Sequence, residues 1–455
     1  MFKRFFVDRS GNLAIIGALS LMPLLGTAGL ALDVTHAIKV KTRLQWAADA
    51  AVVGSITDKS AGVAQAMAMT ADGSVSVSES EARSIFAAQM ADGTAIDLPS
   101  KAAGKSDPED LEETARTFNV SVVKSGRDIN VSATFSTLVP TTFMKIFGKD
   151  TIEVDGIAKA TFQSNSFMDF YMLLDNTPSM GVGATPEDVD KLIAATKNQA
   201  DSGSRNCAFA CHIVSEKGVA DKNSNYFVAR KVGATIRIDV VAKAVAALTK
   251  EAEKTETYPN QYRMAAYTFG QKAEDADLYE VSSLTDDLKD IQTKADTISL
   301  MSIPFQGYNN DQITSFDKAL TRMNSEIPAP GDGSSPAKAE KVVYFVADGV
   351  GDSYKPAGCT KKVTGGRCQE PIDVTYCKTL KDRGIKIAVL YTTYLPLPTN
   401  SWYNTWIKPF QPEIGSKMQA CASPGLYFEV SPSQGIESAM KALFVKIIRS
   451  PRLTS

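Results

Sequence analysis

The stretch Phe170-Tyr-Met-Leu-Leu-Asp-Asn-Thr-Pro-Ser-Met-Gly181 decides how this chain is read. Five apolar or aromatic residues run straight into an acid, two hydroxyls and a glycine. A short run of this kind, bounded by turn residues, predicts a buried strand that stops at Leu174. Asp175, Thr177 and Ser179 then lie just past its end, where alternate side chains can turn toward one point. Further along, Lys341-Val-Val-Tyr-Phe-Val-Ala347 repeats the pattern and ends in Asp348-Gly349.

Other strands are expected at YRMAAYTF, IKIAVLYTTY and, more briefly, LYFEV, with helices near residues 186–199, 237–254, 315–325, 374–383 and 434–448. Strands alternating with helices predict an α/β fold with a doubly wound, mostly parallel sheet. Ligands of such sheets bind beyond the carboxyl ends of the strands. Two carboxylates and two hydroxyls at that edge are hard oxygen ligands suited to Mg²⁺, with a position left for water or a partner's carboxylate.

Upstream of residue 166 the pattern is different. Leu13–Leu32 contains no charged residue, and twenty residues at 1.5 Å per residue cover about 30 Å, the hydrocarbon core of a bilayer. Lys3, Arg4 and Arg9 precede the run, so the N-terminus is expected in the cytoplasm and the remainder outside, in single-pass topology. The run is longer than the apolar region of a cleaved signal, which favours a retained anchor. Leu44, Ala47, Ala48, Ala51 and Val52 continue with helical spacing and predict one apolar face, either of a stalk or of a pilin-like helix packed on sister helices.

Residues 57–119 read as a variable spacer with one helix near 81–90. Val120, Val122, Ile129, Val131, Ala133 and Phe135 alternate around Ser125–Asp128 and predict a hairpin, followed by a short helix at TTFMKIFG and a strand over 152–162. The expected division is 1–57 for the anchor and its helix, 58–165 for the spacer and a small α+β region, and 166–450 for the α/β domain.

The charge balance, 49 basic against 51 acidic residues, offers no basic stripe for nucleic acid. All six cysteines, Cys207, Cys211, Cys359, Cys368, Cys377 and Cys421, lie beyond the apolar run, which suits an oxidising, extracytoplasmic compartment. Cys207 with Cys211 and Cys359 with Cys368 are local candidates for bridges, leaving Cys377 with Cys421, although six thiols allow fifteen pairings. Cys207-x₃-Cys211-His212 also approximates a c-type haem attachment site, so a periplasmic electron carrier is the alternative from another class. There is no Gly-x-Ser-x-Gly, His-Glu-x-x-His or phosphate-cradling glycine loop, and the chain has only two histidines, so no enzymatic activity is expected.

Two resemblances join these readings. DNTPS resembles the Asp-x-Ser-x-Ser metal-ion-dependent adhesion site of von Willebrand factor A domains, with Thr177 in the middle position, and VADG resembles that family's later aspartate motif. The resemblance implies Asp175, Thr177, Ser179, Thr314 and Asp348 as ligands of Mg²⁺, which captures an acidic residue of a protein partner. A structural stalk whose A domain holds no metal is the bland version. The N-terminal FFVDRSGNLAIIGALSLMPLLGTAGLALDVTHAIKVKTRLQWAADAAVV resembles TadE/TadG-like proteins of the Tad (Flp-type) pilus system. It implies a bacterial inner-membrane protein, periplasmic or surface-exposed, whose partners are pilins or pilus-assembly proteins and whose role is pilus assembly, anchoring or adhesion.

Overall fold

The computed structural model describes residues 12–57, 60–91, 117–394, 396–397, 400–430 and 435–449. The chain divides into two compact units, Met1–Ser164 and Asn165–Ser455. The charges at Lys3, Arg4 and Arg9 on which the expected orientation rests lie outside the described residues.

In the first unit a single helix, α1 (Asn12–Gly54), runs through Pro23. Its first part is apolar and largely open: Ile16, Leu19, Leu21, Leu24 and Leu25 are each more than half exposed. Beyond Asp33 it becomes one-sided. Leu44, Ala48 and Ala51 are fully enclosed and Ala47 and Val52 nearly so, which is the apolar face that the spacing predicts. That face packs on the unit's own elements. The strands are β1 (Gly73–Ser74), β2 (Thr117–Ser125), β3 (Asp128–Pro140) and β4 (Thr151–Gln163), antiparallel in the order β1-β2-β3-β4. Gly126, at φ +59°, begins the two-residue turn between β2 and β3, a left-handed position that favours glycine.

The spacer expected over 57–119 is corrected where it is described. Residues 60–91 fold as α2 (Ala61–Ala68) and α3 (Ser76–Ala91). Ala-rich segments show little hydrophobic contrast, yet Val63, Ala66, Ala82 and Phe86 are buried, because α3 packs on α1 and β2, with Phe86 stacked on Phe118, and α2 packs on α3. The regions expected as 1–57 and 58–165 therefore form one body.

The second unit is a mixed α/β body around a six-stranded sheet. Its strands are β5 (Met168–Leu174), β6 (Tyr262–Thr268), β7 (Tyr279–Thr285), β8 (Glu340–Ala347), β9 (Lys386–Thr392) and β10 (Tyr427–Val430), in the order β10-β9-β8-β5-β6-β7. Five are parallel, and β7 is an antiparallel edge. Every residue of β5 and β8 is buried, as continuous apolar runs with cover on both faces require.

Phe170, Met172 and Leu174 join a core with α6 (Arg237–Thr255), α7 (Leu288–Ala295) and α11 (Ile436–Arg449). Tyr171 and Leu173 join another with α8 (Phe316–Glu326), α9 (Val374–Asp382) and α10 (Gln411–Cys421). The helices α4 (Pro186–Ala195) and α5 (Asn225–Val232) precede α6. An antiparallel insertion of residues 350–354, 363–364 and 367–371 follows β8.

Candidate metal centre

The neighbouring parallel strands β5 and β8 place Leu174 against Val346, so the residues that follow each strand emerge side by side. Asp175 continues the ladder by one bond, its N–H donating to Val346 O at 2.9 Å. The chain then turns because the Asp175 Oδ1 accepts both the Thr177 N–H (2.9 Å) and the Thr177 hydroxyl (2.7 Å). Thr177 Oγ1 lies 3.4 Å from Ser179 Oγ. Asn176 points the other way and ties the turn to its surroundings, donating to Gly270 O and Ser299 O and accepting from the Phe269 N–H.

Asp348, after β8, accepts the Val350 N–H at 3.2 Å, and the Ser179 hydroxyl lies near enough to stabilise its carboxylate. Gly349 completes this turn at φ +75°, where a Cβ would come within 2.6 Å of Ile414. Asp175, Thr177 and Asp348 have no exposed surface at all, and Ser179 is half-buried.

The structure thus brings Asp175, Thr177, Ser179 and Asp348 to one edge. Thr314 comes in on a separate segment that pairs with Asp352, four residues after Asp348. Its backbone exchanges two hydrogen bonds with Asp352, and its side chain lines a shallow depression with Asp317, Gly351 and Glu370.

Sequence reasoning missed Arg237. This first residue of α6 is 1% exposed, and its guanidinium donates to Asp348 Oδ2 at 3.3 Å and to Thr393 O at 3.3 Å beneath the ring of Tyr394. A signal was available, because Arg237, Val241, Ala244, Val245 and Leu248 share one helical stripe and the arginine is its only charged member. The charge on that stripe belongs with the Asp348 carboxylate.

Burial dominates the electrostatics. It pushes Asp175 up to about 7, reinforced by the Asp348 carboxylate and opposed by the bonds from Thr177 and by Arg237. Burial also raises Asp348, against the pull of Arg237, the Val350 N–H and Ser179. Asp175 Oδ2 is enclosed and has no hydrogen-bond partner. An orphaned carboxylate oxygen beside two hydroxyls and a second carboxylate fits a hard cation such as Mg²⁺. Arg237 means that one of the two negative charges is already compensated.

The cysteines form two bridges, Cys359–Cys368 and Cys377–Cys421. Cys207 and Cys211 are thiols, contrary to the local bridge considered for them; the Cys207 sulfur instead accepts the Phe209 N–H. Burial raises both thiols, Cys211 to about 12, which disfavours thiolate chemistry. His212 is stacked on Tyr226 with centroids 4.1 Å apart, and its Nδ1 lies 3.2 Å from Leu300 O, so its ring is committed to packing and not offered to a haem.

Residues 11–55 match the family described as Tad: Putative Flp pilus-assembly TadE/G-like. The N-terminal segment is TadE/G-like. That segment takes in the whole of α1, including both its open apolar part and the face that packs in the first unit. No curated protein matches the chain.

Among similar solved structures is the pilus adhesin SpaC from Lactobacillus rhamnosus GG, 10% identical, with a TM-score of 0.34, covering 73% of this chain and 34% of that one. A mutant of the PilB minor pilin from Streptococcus sanguinis is 10% identical, with a TM-score of 0.32 and coverage of 73% and 78%. The von Willebrand factor domain of the type V pili tip protein Mfa5 from Porphyromonas gingivalis is 10% identical, with a TM-score of 0.32 and coverage of 64% and 99%. Likeness at this distance assigns no role to any residue.

Proposed function

We propose that this protein is a single-pass, membrane-anchored component of Tad (Flp-type) pilus assembly. Its N-terminus lies in the cytoplasm of a bacterial cell and its second unit is extracytoplasmic. The TadE/G-like segment and the open apolar part of α1 support the anchor and the pilus context. The second unit is read as a doubly wound, von Willebrand A-type domain that acts by binding, not catalysis, in pilus assembly, anchoring or adhesion.

In this reading Asp175, Thr177, Ser179 and Asp348 hold Mg²⁺, with Thr314, whose backbone pairs with Asp352 after Asp348, as the fifth ligand that the resemblance implies. Mg²⁺ there supplies residual positive charge and an open position for an acidic side chain of a pilin or assembly partner. The observation that carries the reading is Asp175 Oδ2, a buried carboxylate oxygen without a hydrogen-bond partner. Such an atom is costly to enclose unless something cationic completes it.

Calorimetric titration with Mg²⁺ tests this. Wild type is expected to take up one Mg²⁺ at or below millimolar concentration, and Asp175→Ala none, with the fold retained by circular dichroism. No uptake by wild type would reject the metal site. The protein would then be a structural stalk whose strand-end charge is balanced internally, a reading that Arg237 on Asp348 specifically favours.

A further inference from the structure

The residues joining β3 to β4, 141–150, make a tip that the reading above does not use. A single 3₁₀ turn, Met144–Phe147, leaves Ile146 79% and Phe147 68% exposed, beside Phe143 at 38%. Lys145 and Lys149 flank them and are exposed. Adjacent large apolar side chains so open to solvent mark an interaction surface.

The tip is fixed to α1 by a dedicated set of bonds. The Asp33 carboxylate, itself buried, accepts the N–H groups of Thr142, Phe143 and Met144 at 3.0, 2.8 and 2.7 Å. Gly29 lets the Phe143 ring lie on the helix backbone, since a Cβ there would come within 2.5 Å of the ring; at Gly26 it would lie 3.6 Å from Phe147 Cζ. Phe147 is therefore level with Gly26, six residues before the end of the apolar run at Leu32. At 1.5 Å per residue that is about 9 Å inside the end of the run.

We propose that the 141–150 tip is a second membrane contact, resting on the reading that α1 spans the bilayer. Phe143, Ile146 and Phe147 enter the hydrocarbon edge of the extracytoplasmic leaflet alongside α1. Lys145 and Lys149 extend their ammonium groups back to phosphate headgroups. Two features point to lipid. The apolar patch is continuous with the open apolar part of α1, and Lys145 and Lys149 outnumber the one acid of the tip, Asp150 just before β4, which leaves it net positive and complementary to anionic headgroups. Asp33, at the level where hydrocarbon gives way to headgroups, has its charge satisfied by the tip's own backbone.

The test uses the full chain with Cys207→Ser and Cys211→Ser, carrying one spin-labelled cysteine at Ile146, Leu24 or Lys217, in phosphatidylethanolamine–phosphatidylglycerol vesicles. Ile146→Cys removes no core volume. Its label is expected to resemble that at Leu24, open to oxygen and shielded about tenfold from an aqueous nickel chelate relative to Lys217. Lys145→Glu with Lys149→Glu is expected to reduce that shielding several-fold. An Ile146 label as exposed to nickel as Lys217, with Leu24 shielded, would overturn the second contact and leave the anchor standing. Nickel access at Leu24 as well would remove the anchor and this inference together. Shielding indifferent to the lysine changes would overturn the headgroup assignment.

Discussion

Burial holds Asp175 away from its ordinary protonation, and the sign of the consequence can be worked out. Its folded pKa is raised to about 7 from an ordinary value of 3.8. Folding is therefore favoured most where the group is protonated in both states, below about pH 4, and that contribution is lost as pH rises toward and through 7. In metal-free buffer the unfolding free energy of wild type should fall between pH 5 and pH 8 by a few kcal/mol at most, and Asp175→Asn should flatten the slope. A wild-type curve as flat as that of the variant would show that the group is not enclosed as described. Arg237 makes the complementary case. Arg237→Met leaves Asp348 buried and uncompensated, so a loss of about 3–5 kcal/mol is expected in denaturant titration. If the two carboxylates can accept a metal, Mg²⁺ should restore stability to Arg237→Met more than it raises that of wild type. Asp175, Thr177, Ser179 and Asp348 were legible in the sequence because each follows a recognisable strand. Arg237 was not read, because its partner is set by which helix end the topology delivers to the strand-end edge.

Elements were legible where periodicity was strong. The strands at 168–174, 262–268, 340–347, 386–392 and 427–430, and the helices beginning at Pro186, Arg237, Phe316, Val374 and Ile436, lie within a few residues of expectation. The elements not anticipated have weak local contrast. They include α2, built largely of alanine, and α10, whose apolar residues are weakly sided, while α7 is one-sided but only eight residues long. The edge strand β7 has only half its residues shielded, so it lacks the continuous apolar run that marks β5 and β8. Helix α1 offers a test at this scale. Leu44 is fully enclosed in the first unit, so Leu44→Ala should cost about 2–5 kcal/mol. The loss should appear in the unfolding of the first unit, read by hydrogen exchange in β2 and β3. Equal loosening of β5 and β8 would contradict the division into two bodies.

At the scale of the molecule, the two bridges confine the insertion after β8 and the pair α9–α10. Cys377–Cys421 closes a span of 44 residues, for which loop entropy alone gives about 4 kcal/mol. Reduction should therefore lower the stability of the second unit by about 3–4 kcal/mol and leave β2 and β3 protected. Alkylation of denatured, unreduced protein should modify Cys207 and Cys211 alone, and label at any of the other four would refute the pairing.

Connectivity adds a mechanical consequence. Chain leaving β4 enters β5 within a few residues, so tension applied through the first unit would pass into the sheet of the second unit at Phe167 and Met168, the start of the strand that runs between β6 and β8. From Met168 to Leu174 that strand is bonded to Tyr262–Thr268 on one side and to Glu340–Val346 on the other, all in parallel. A pull along β5 loads those ladders in shear, many bonds at once, where an edge strand pulled sideways would open like a zip. A strand with every residue enclosed is also the one that takes the load first.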